Sequence, residues 1–187
     1  MTFNTIYRAL PLRFLTDTLE LRPIELADLA DLVQLANNKK LADVLARLPH
    51  PYTSEDGLYF INDHANGTDE RVWAICKRKG PMMGVVGIAQ NADGQGELGY
   101  WLGEEFWGQG IGSQAIGALM DEFDIAVPEL ELHARCLKSN LASKALLEKV
   151  GFEVTGEQVG CGQHDGADVW TFTRPARDAG YLQEAAE

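Results

Sequence analysis

The spacing of apolar residues changes period several times along this chain. L-E-L-R-P-I (19–24) alternates and then meets Pro23, which predicts a short strand ending there. Ile24, Leu26, Leu29, Leu32, Val33 and Leu35 recur at helical spacing and predict an amphipathic helix over 25–36. A second short helix, 39–47, stops at P-H-P (49–51), because proline cannot continue it. Thr53 or Ser54 then caps a third helix reaching residue 65, with Glu55 and Asp56 near its positive end. Asn66-Gly67 marks a turn.

Beyond that turn the period falls to two. R-V-W-A-I-C-K (71–77), M-M-G-V-V-G-I-A-Q (82–90) and G-E-L-G-Y-W-L (96–102) read as strands, joined by hairpin turns at K-G-P and A-D-G-Q-G. From Gly112, the set Ile116, Leu119, Met120 and Phe123 restores helical spacing as far as residue 125. E-L-E-L-H-A-R-C (129–136) is a further strand. Ser139 suits an N-cap, Leu146, Leu147 and Val150 form an apolar face, and Gly151 stands where a C′ glycine belongs. F-E-V-T-G-E-Q-V and A-D-V-W-T-F-T close the pattern as a hairpin. No repeat or linker interrupts this order. It predicts one α+β domain, three layers deep, around a mixed and mostly antiparallel sheet of six to seven strands with helices on both faces. Residues 1–17 stand as an N-terminal extension, 18–175 as the domain and 176–187 as a tail.

Composition narrows the functions open to such a domain. The net charge of 16 − 28 = −12 argues against nucleic acid or an anionic membrane as partner and favours cationic ligands. Cys76, Cys136 and Cys161 are odd in number and lack CxxC or Cys/His spacing, so they read as core residues in a reducing compartment. Arg8, Pro11 and Arg13 break any secretory signal, and no apolar run is long enough to span a bilayer. The expected location is cytoplasmic. No cluster has metal-ligand spacing, so no metal is expected.

The stretch E-F-W-G-Q-G-I-G-S-Q-A (105–115) sets Gly108, Gly110 and Gly112 at alternate positions ahead of a helix. A Walker-type loop would need G-K-[ST] at the helix start, and no Lys stands there. Gly110-x-Gly112-x-x-Ala115 does match the dinucleotide form G-x-G-x-x-A, which keeps a dinucleotide-binding oxidoreductase as an alternative. That form requires a strand running almost directly into the first glycine, whereas G-E-E-F-W-G-Q intervenes here. A third reading is a backbone nest for a pyrophosphate, with the positive end of the helix aimed at the same point. A tight strand–helix turn without ligand is the plain alternative.

Residues 96–115 and 134–152 resemble the GNAT superfamily of acyl-CoA-dependent N-acyltransferases. The superfamily's phosphate loop, [QR]-x-x-G-x-[GA], is matched by Trp107-Gly108-Gln109-Gly110-Ile111-Gly112, with Trp at the first position as in the W-G-x-G variant of its RimJ/RimL-like branch, which acetylates ribosomal-protein N-termini. T-L-E-L-R-P, L-P-H-P-Y-T-S-E-D-G (48–57), W-A-I (73–75), G-Y-W-L (99–102) and N-L-A-S-K-A-L-L-E-K-V-G-F (140–152) follow that branch in order, so the likeness runs over about 16–175. It implies a bulge in strand 96–102 that splays the sheet into a V-shaped cleft. It also implies the backbone of Tyr100, Trp101 and Leu102 along the pantetheine arm of acetyl-CoA, and the N–H groups of Gly108, Gln109, Gly110, Ile111, Gly112 and Ser113 on the pyrophosphate. Asn140 would stand beside the thioester.

The reaction so implied is direct acetyl transfer from acetyl-CoA to a primary amine, a protein N-terminus or a small molecule, in a ternary complex. It needs an acid for the departing thiolate and a base for the amine. The Tyr that many members place seven residues after the motif Asn is Leu147 here, while the branch's alternative, a Ser three residues after it, is Ser143. Ser143 can equally bond its own first helical turn. Glu97 is the candidate base, with a solvated strand-edge charge as the alternative. Glu25, Asp165 and Asp168 are weaker candidates, His133 reads as a packed core residue, and His50 and His64 stand near the acceptor side. Loss of acid and base would leave a non-catalytic acyl-CoA sensor. The resemblance leaves room for a homodimer.

Overall fold

A computed structural model describes residue 6, residues 8–65, residue 68, residues 70–160 and residues 165–177 of the chain. Its strands are β1 (Phe14–Leu15), β2 (Leu19–Arg22), β3 (Glu70–Lys77), β4 (Met82–Gln90), β5 (Gly96–Leu102), β6 (Leu132–Leu137), β7 (Glu153–Val159) and β8 (Asp168–Arg174). They form one 8-stranded sheet in the order β1-β2-β3-β4-β5-β6-β8-β7. Only β5 and β6 run parallel; the other neighbours are antiparallel. The helices are α1 (Leu29–Ala36), α2 (Lys39–Ala42), α3 (Ser54–Tyr59), α4 (Ile111–Ala126) and α5 (Leu141–Lys149).

β3 is buried from Val72 to Cys76 and β4 from Met82 to Ile88, because helices cover both faces of the sheet. Alternation sends Trp73, Ile75, Val86 and Ile88 into a core with Leu98 and with Ile116, Leu119 and Phe123 of α4. Val72, Ala74, Cys76 and Val85 point the other way, into a second core with Leu32 and Ala36 of α1. A buried ion pair ties α4 to β8: the Arg174 guanidinium clamps both oxygens of Asp124, one at 2.6 Å.

The α+β architecture with helices on both faces matches the expectation, and the departures have local causes. The strand beyond the expected seven is β1, too short to show a period. It is placed by Phe14, which meets Trp73 edge-on at 5.9 Å, while the Trp73 indole donates to the Pro11 C=O at 3.2 Å. The helix expected over 25–36 opens with a separate 3-10 turn, Leu26–Asp28. The Asp28 carboxylate accepts the Glu25 N–H at 2.8 Å and is held by Arg22 at 2.6 Å, which fixes that turn. The helix over 39–47 ends at Ala42, and Thr53 caps α3, which passes into a π-helical turn over Phe60–Ala65. The strand expected from residue 129 starts at Leu132. Ser139 is not the cap of α5: Asn140 is, its Oδ1 accepting the Ser143 N–H at 3.0 Å. Gly151, with φ +92°, ends that helix as expected. Asn66-Gly67, Cys161 and the tail from residue 178 lie outside the described residues.

Candidate active site

The site is built where β5 and β6 part. They pair only at Glu97↔His133 and Leu98↔Ala134, and β6 stays laddered to β8 from Leu132 to Leu137. On its other edge β5 keeps an unbroken register with β4 from Gly96 to Leu102. Each strand is thus held by a different half of the sheet, and the twist of the sheet opens them into a cleft. The bulge expected in 96–102 does not appear in that ladder; register shifts lie in β3, between Ile75 and Cys76, and in β7, between Val154 and Gly156.

Gly103 N–H donates to the Met83 C=O at 2.9 Å, continuing the β4–β5 ladder. Peptide groups of the same parity, including those of Trp101, therefore face β4, and those of Tyr100 and Leu102 face the cleft. The Leu102 C=O is engaged by the Trp107 indole N–H at 2.7 Å. Of the three residues expected along the cofactor arm, Trp101 thus has its backbone turned away, and its side chain lines the cavity described below.

The glycine loop lies beyond the end of β5. Gly108 and Gly110 have φ of +70° and +79°, a region side chains disfavour, and a Cβ on either would meet nothing within 4 Å. Gly112 serves another purpose: its Cβ would lie 3.0 Å from Leu146 Cδ1, so it lets α4 pack against α5. The ladder of α4 begins with Gln114 N–H to Gly110 C=O at 3.0 Å, which leaves the N–H groups of Ile111, Gly112 and Ser113 without intrahelical acceptors. Such an end attracts phosphate. The Gln109 side-chain amide donates to the Glu105 C=O at 2.6 Å and braces the loop.

On the α5 side of the cleft, the Tyr100 hydroxyl is 2.8 Å from Ser143 Oγ. Burial pushes the Tyr100 hydroxyl up to about 12, with the Ser143 hydrogen bond pulling the other way. Cys136 borders the same serine; burial raises its thiol and the contact with Ser143 opposes the rise. Asn140 is committed to capping α5 through its side-chain oxygen.

Glu97 projects from the opposite face of β5. Its Oε1 accepts Arg135 Nε at 2.9 Å and lies 2.8 Å from the second guanidinium nitrogen. This pair lines a cavity of about 580 Å³ whose wall also includes Leu48, Tyr52, Phe60, His64, Glu70 and Trp101. Asp56 shares that cavity, its carboxyl held low by hydrogen bonds from Thr53. The two candidate proton carriers, Ser143 and Glu97, therefore lie on opposite faces of the split sheet. His64 lines the cavity, whereas Glu25, His50, His133, Asp165 and Asp168 do not. His133 packs between β6 and β8, with Nδ1 3.3 Å from Thr173 Oγ1. The side chains of Tyr100 and Arg135 escaped the reading of the sequence. Strand parity places Tyr100 with Leu98 on the face covered by α4 and α5, a signal that was present but had no partner to point to.

Among the described residues, no group of three or more His, Cys, Asp or Glu is placed to hold a metal ion, and no helix is long and apolar enough to cross a membrane. Comparison with known proteins agrees with this geometry. Residues 18–153 match the acetyltransferase (GNAT) domain. The chain is 28% identical over 146 residues to the uncharacterized N-acetyltransferase p20 of Bacillus licheniformis, covering 75% of this chain and 82% of that protein. RimL, the ribosomal L7/L12 α-N-protein acetyltransferase solved in complex with coenzyme A, is 25% identical and superposes with a TM-score of 0.76, over 90% of this chain and 99% of that one. The Salmonella typhimurium acetyl transferase that modifies the N-terminal serine of 50S ribosomal subunit protein L7/L12 is 27% identical, with a TM-score of 0.71, over 89% and 98% of the two chains. The domain match spans most of the chain and coincides with the cleft and the glycine loop, and the chain belongs to the GNAT acetyltransferase family.

Proposed function

We propose that this acetyltransferase acts on a primary amine by direct transfer in a ternary complex, with Ser143 as the acid and Glu97 as a water-relayed base. One observation supports the reading: β5 and β6 pair no further than Leu98 and Ala134, the left-handed glycines follow the end of β5, and the Tyr100–Ser143 pair stands just past the last paired residues. The residues present fit acetyl-CoA. Gly108 and Gly110 supply open backbone, and the N–H groups of Ile111, Gly112 and Ser113 supply donors for the pyrophosphate. Gln109 braces that loop, and Tyr100 and Leu102 offer main-chain groups to the pantetheine arm, with Trp101 and Asn140 supporting the strand and helix beside it. Acetyl-CoA, when bound, supplies an activated acetyl thioester. Ser143 Oγ then holds a proton at the thioester end, kept in place by Tyr100 on one side and the α5 cap on the other. Glu97 sits across the sheet, where an amine arrives, and Arg135 keeps its carboxylate oriented.

RimL acts on a protein α-amine. Such amines titrate near pH 8, so a useful fraction is already neutral and a modest base suffices. The test is release of coenzyme A thiol from acetyl-CoA in the presence of primary amines, alongside thermal stabilisation by coenzyme A alone. Stabilisation without thiol release from any amine would favour a binding protein over an enzyme.

A further inference from the structure

Resting on that reading, the structure points to the class of acceptor: we infer an α-amine whose adjoining side chain is apolar, seated over the bare backbone of Gly99 beside the packed Gly87. These glycines are cross-strand partners on β4 and β5, and both border the cavity. They share the face of Glu97 and Trp101 by strand parity, away from the Tyr100–Ser143 side. Gly99 is exposed in mid-strand, and a Cβ there would meet nothing within 4 Å. Its φ is not left-handed, so neither local strain nor packing demands glycine at this position. A strand glycine without such a need gives room for a ligand to approach the backbone closely.

The surroundings state what approaches. Leu48, Tyr52, Phe60 and Trp101 give the cavity an apolar wall around the glycine floor. The carboxylates nearby have partners already. Glu97 is paired with Arg135 at 2.8 Å, Asp56 accepts the Thr53 N–H and hydroxyl at 2.8 and 2.6 Å, and Glu70 faces His64 at 3.7 Å. A second cationic group on the acceptor would compete with those contacts, whereas an apolar side chain gains the wall. The acidity of the whole chain, which favours cationic acceptors, is thus not matched inside this cavity.

The experiment compares tripeptide amides that differ only in their first residue, Phe, Ser or Lys, together with spermidine, on the full chain and on Gly99→Ala and Gly99→Val. The Phe peptide should exceed the Ser and Lys peptides and spermidine in kcat/KM by about tenfold or more. Gly99→Val should remove most of that advantage through KM for the peptide, with Gly99→Ala intermediate, while KM for acetyl-CoA and the thermal stabilisation by coenzyme A hold. Preference for the Ser or Lys peptide or for spermidine overturns the inference, as does an unchanged Phe preference in Gly99→Val. Acceptance of none of these amines, with coenzyme A still stabilising the fold, also overturns it and leaves the cofactor site standing. Failure of coenzyme A to stabilise the chain would instead sink the reading beneath it.

Discussion

The Tyr100 hydroxyl and Ser143 Oγ lie 2.8 Å apart although 43 positions separate them in the chain, and the same hydroxyl is 3.4 Å from the Ser143 C=O. A serine capping interaction alone would not need a buried phenol beside it. Ser143→Ala is expected to lower kcat by about ten- to a thousand-fold with acetyl-CoA affinity nearly intact. Tyr100→Phe should lower kcat less, and the double variant should fall short of the product of the two losses, as for residues acting as a unit. Full turnover in Ser143→Ala would assign it to the helix alone.

The glycine loop separates into two kinds of position. Gly110→Val should abolish stabilisation by coenzyme A, because a left-handed residue at the helix start loses its backbone geometry. Gly112→Val should instead lower the melting temperature of the free chain, since its Cβ would press on Leu146 at 3.0 Å. Differential scanning fluorimetry with and without coenzyme A distinguishes the two. Equal behaviour would remove the division.

If Glu97 relays the amine proton, Glu97→Gln should cut kcat/KM by about a hundredfold and erase the acid limb of its pH profile. Arg135→Met, which removes the 2.8 Å partner that orients the carboxylate, should lower kcat/KM less than Glu97→Gln does. A profile unmoved in Glu97→Gln would leave Glu97 as a structural charge.

Alkaline stability follows from groups that folding holds protonated. Burial raises Tyr52 and Tyr100 to about 12 and Cys76 to about 11, from ordinary values of 10 and 9. A group whose folded pKa is raised contributes stability below its unfolded pKa and loses it as pH climbs to the folded one. The melting temperature should therefore decline between pH 9 and 12, and Tyr52→Phe should flatten the upper part of that decline. A flat curve to pH 12 would contradict the burial of these groups.

Asp124 and Arg174 are only 5% and 4% exposed, so removing one leaves an uncompensated buried charge. Asp124→Ala should cost about 3–5 kcal/mol in urea unfolding, and a loss under 1 kcal/mol would show that water reaches the Arg174 guanidinium in place of the carboxylate.

Much of this protein is determined within short windows of sequence. The strand alternation of 71–102, the helix behind Gly110, the C′ role of Gly151 and each motif that marks a GNAT chain rest on neighbours a few residues apart. Local periodicity and backbone preference act over that range, so the sequence carries them openly. The pairings that build the site have no such range. Arg135 reaches Glu97 across a parallel strand pair, Tyr100 meets Ser143 across the cleft, and Gly87 faces Gly99 across a ladder. Which strand edge opens, and so which peptide groups of β5 face the cleft, depends on where β6 leaves β5 for β8. That choice is made by the packing of the two half-sheets, because a strand's two edges are chemically alike until its neighbours are in place.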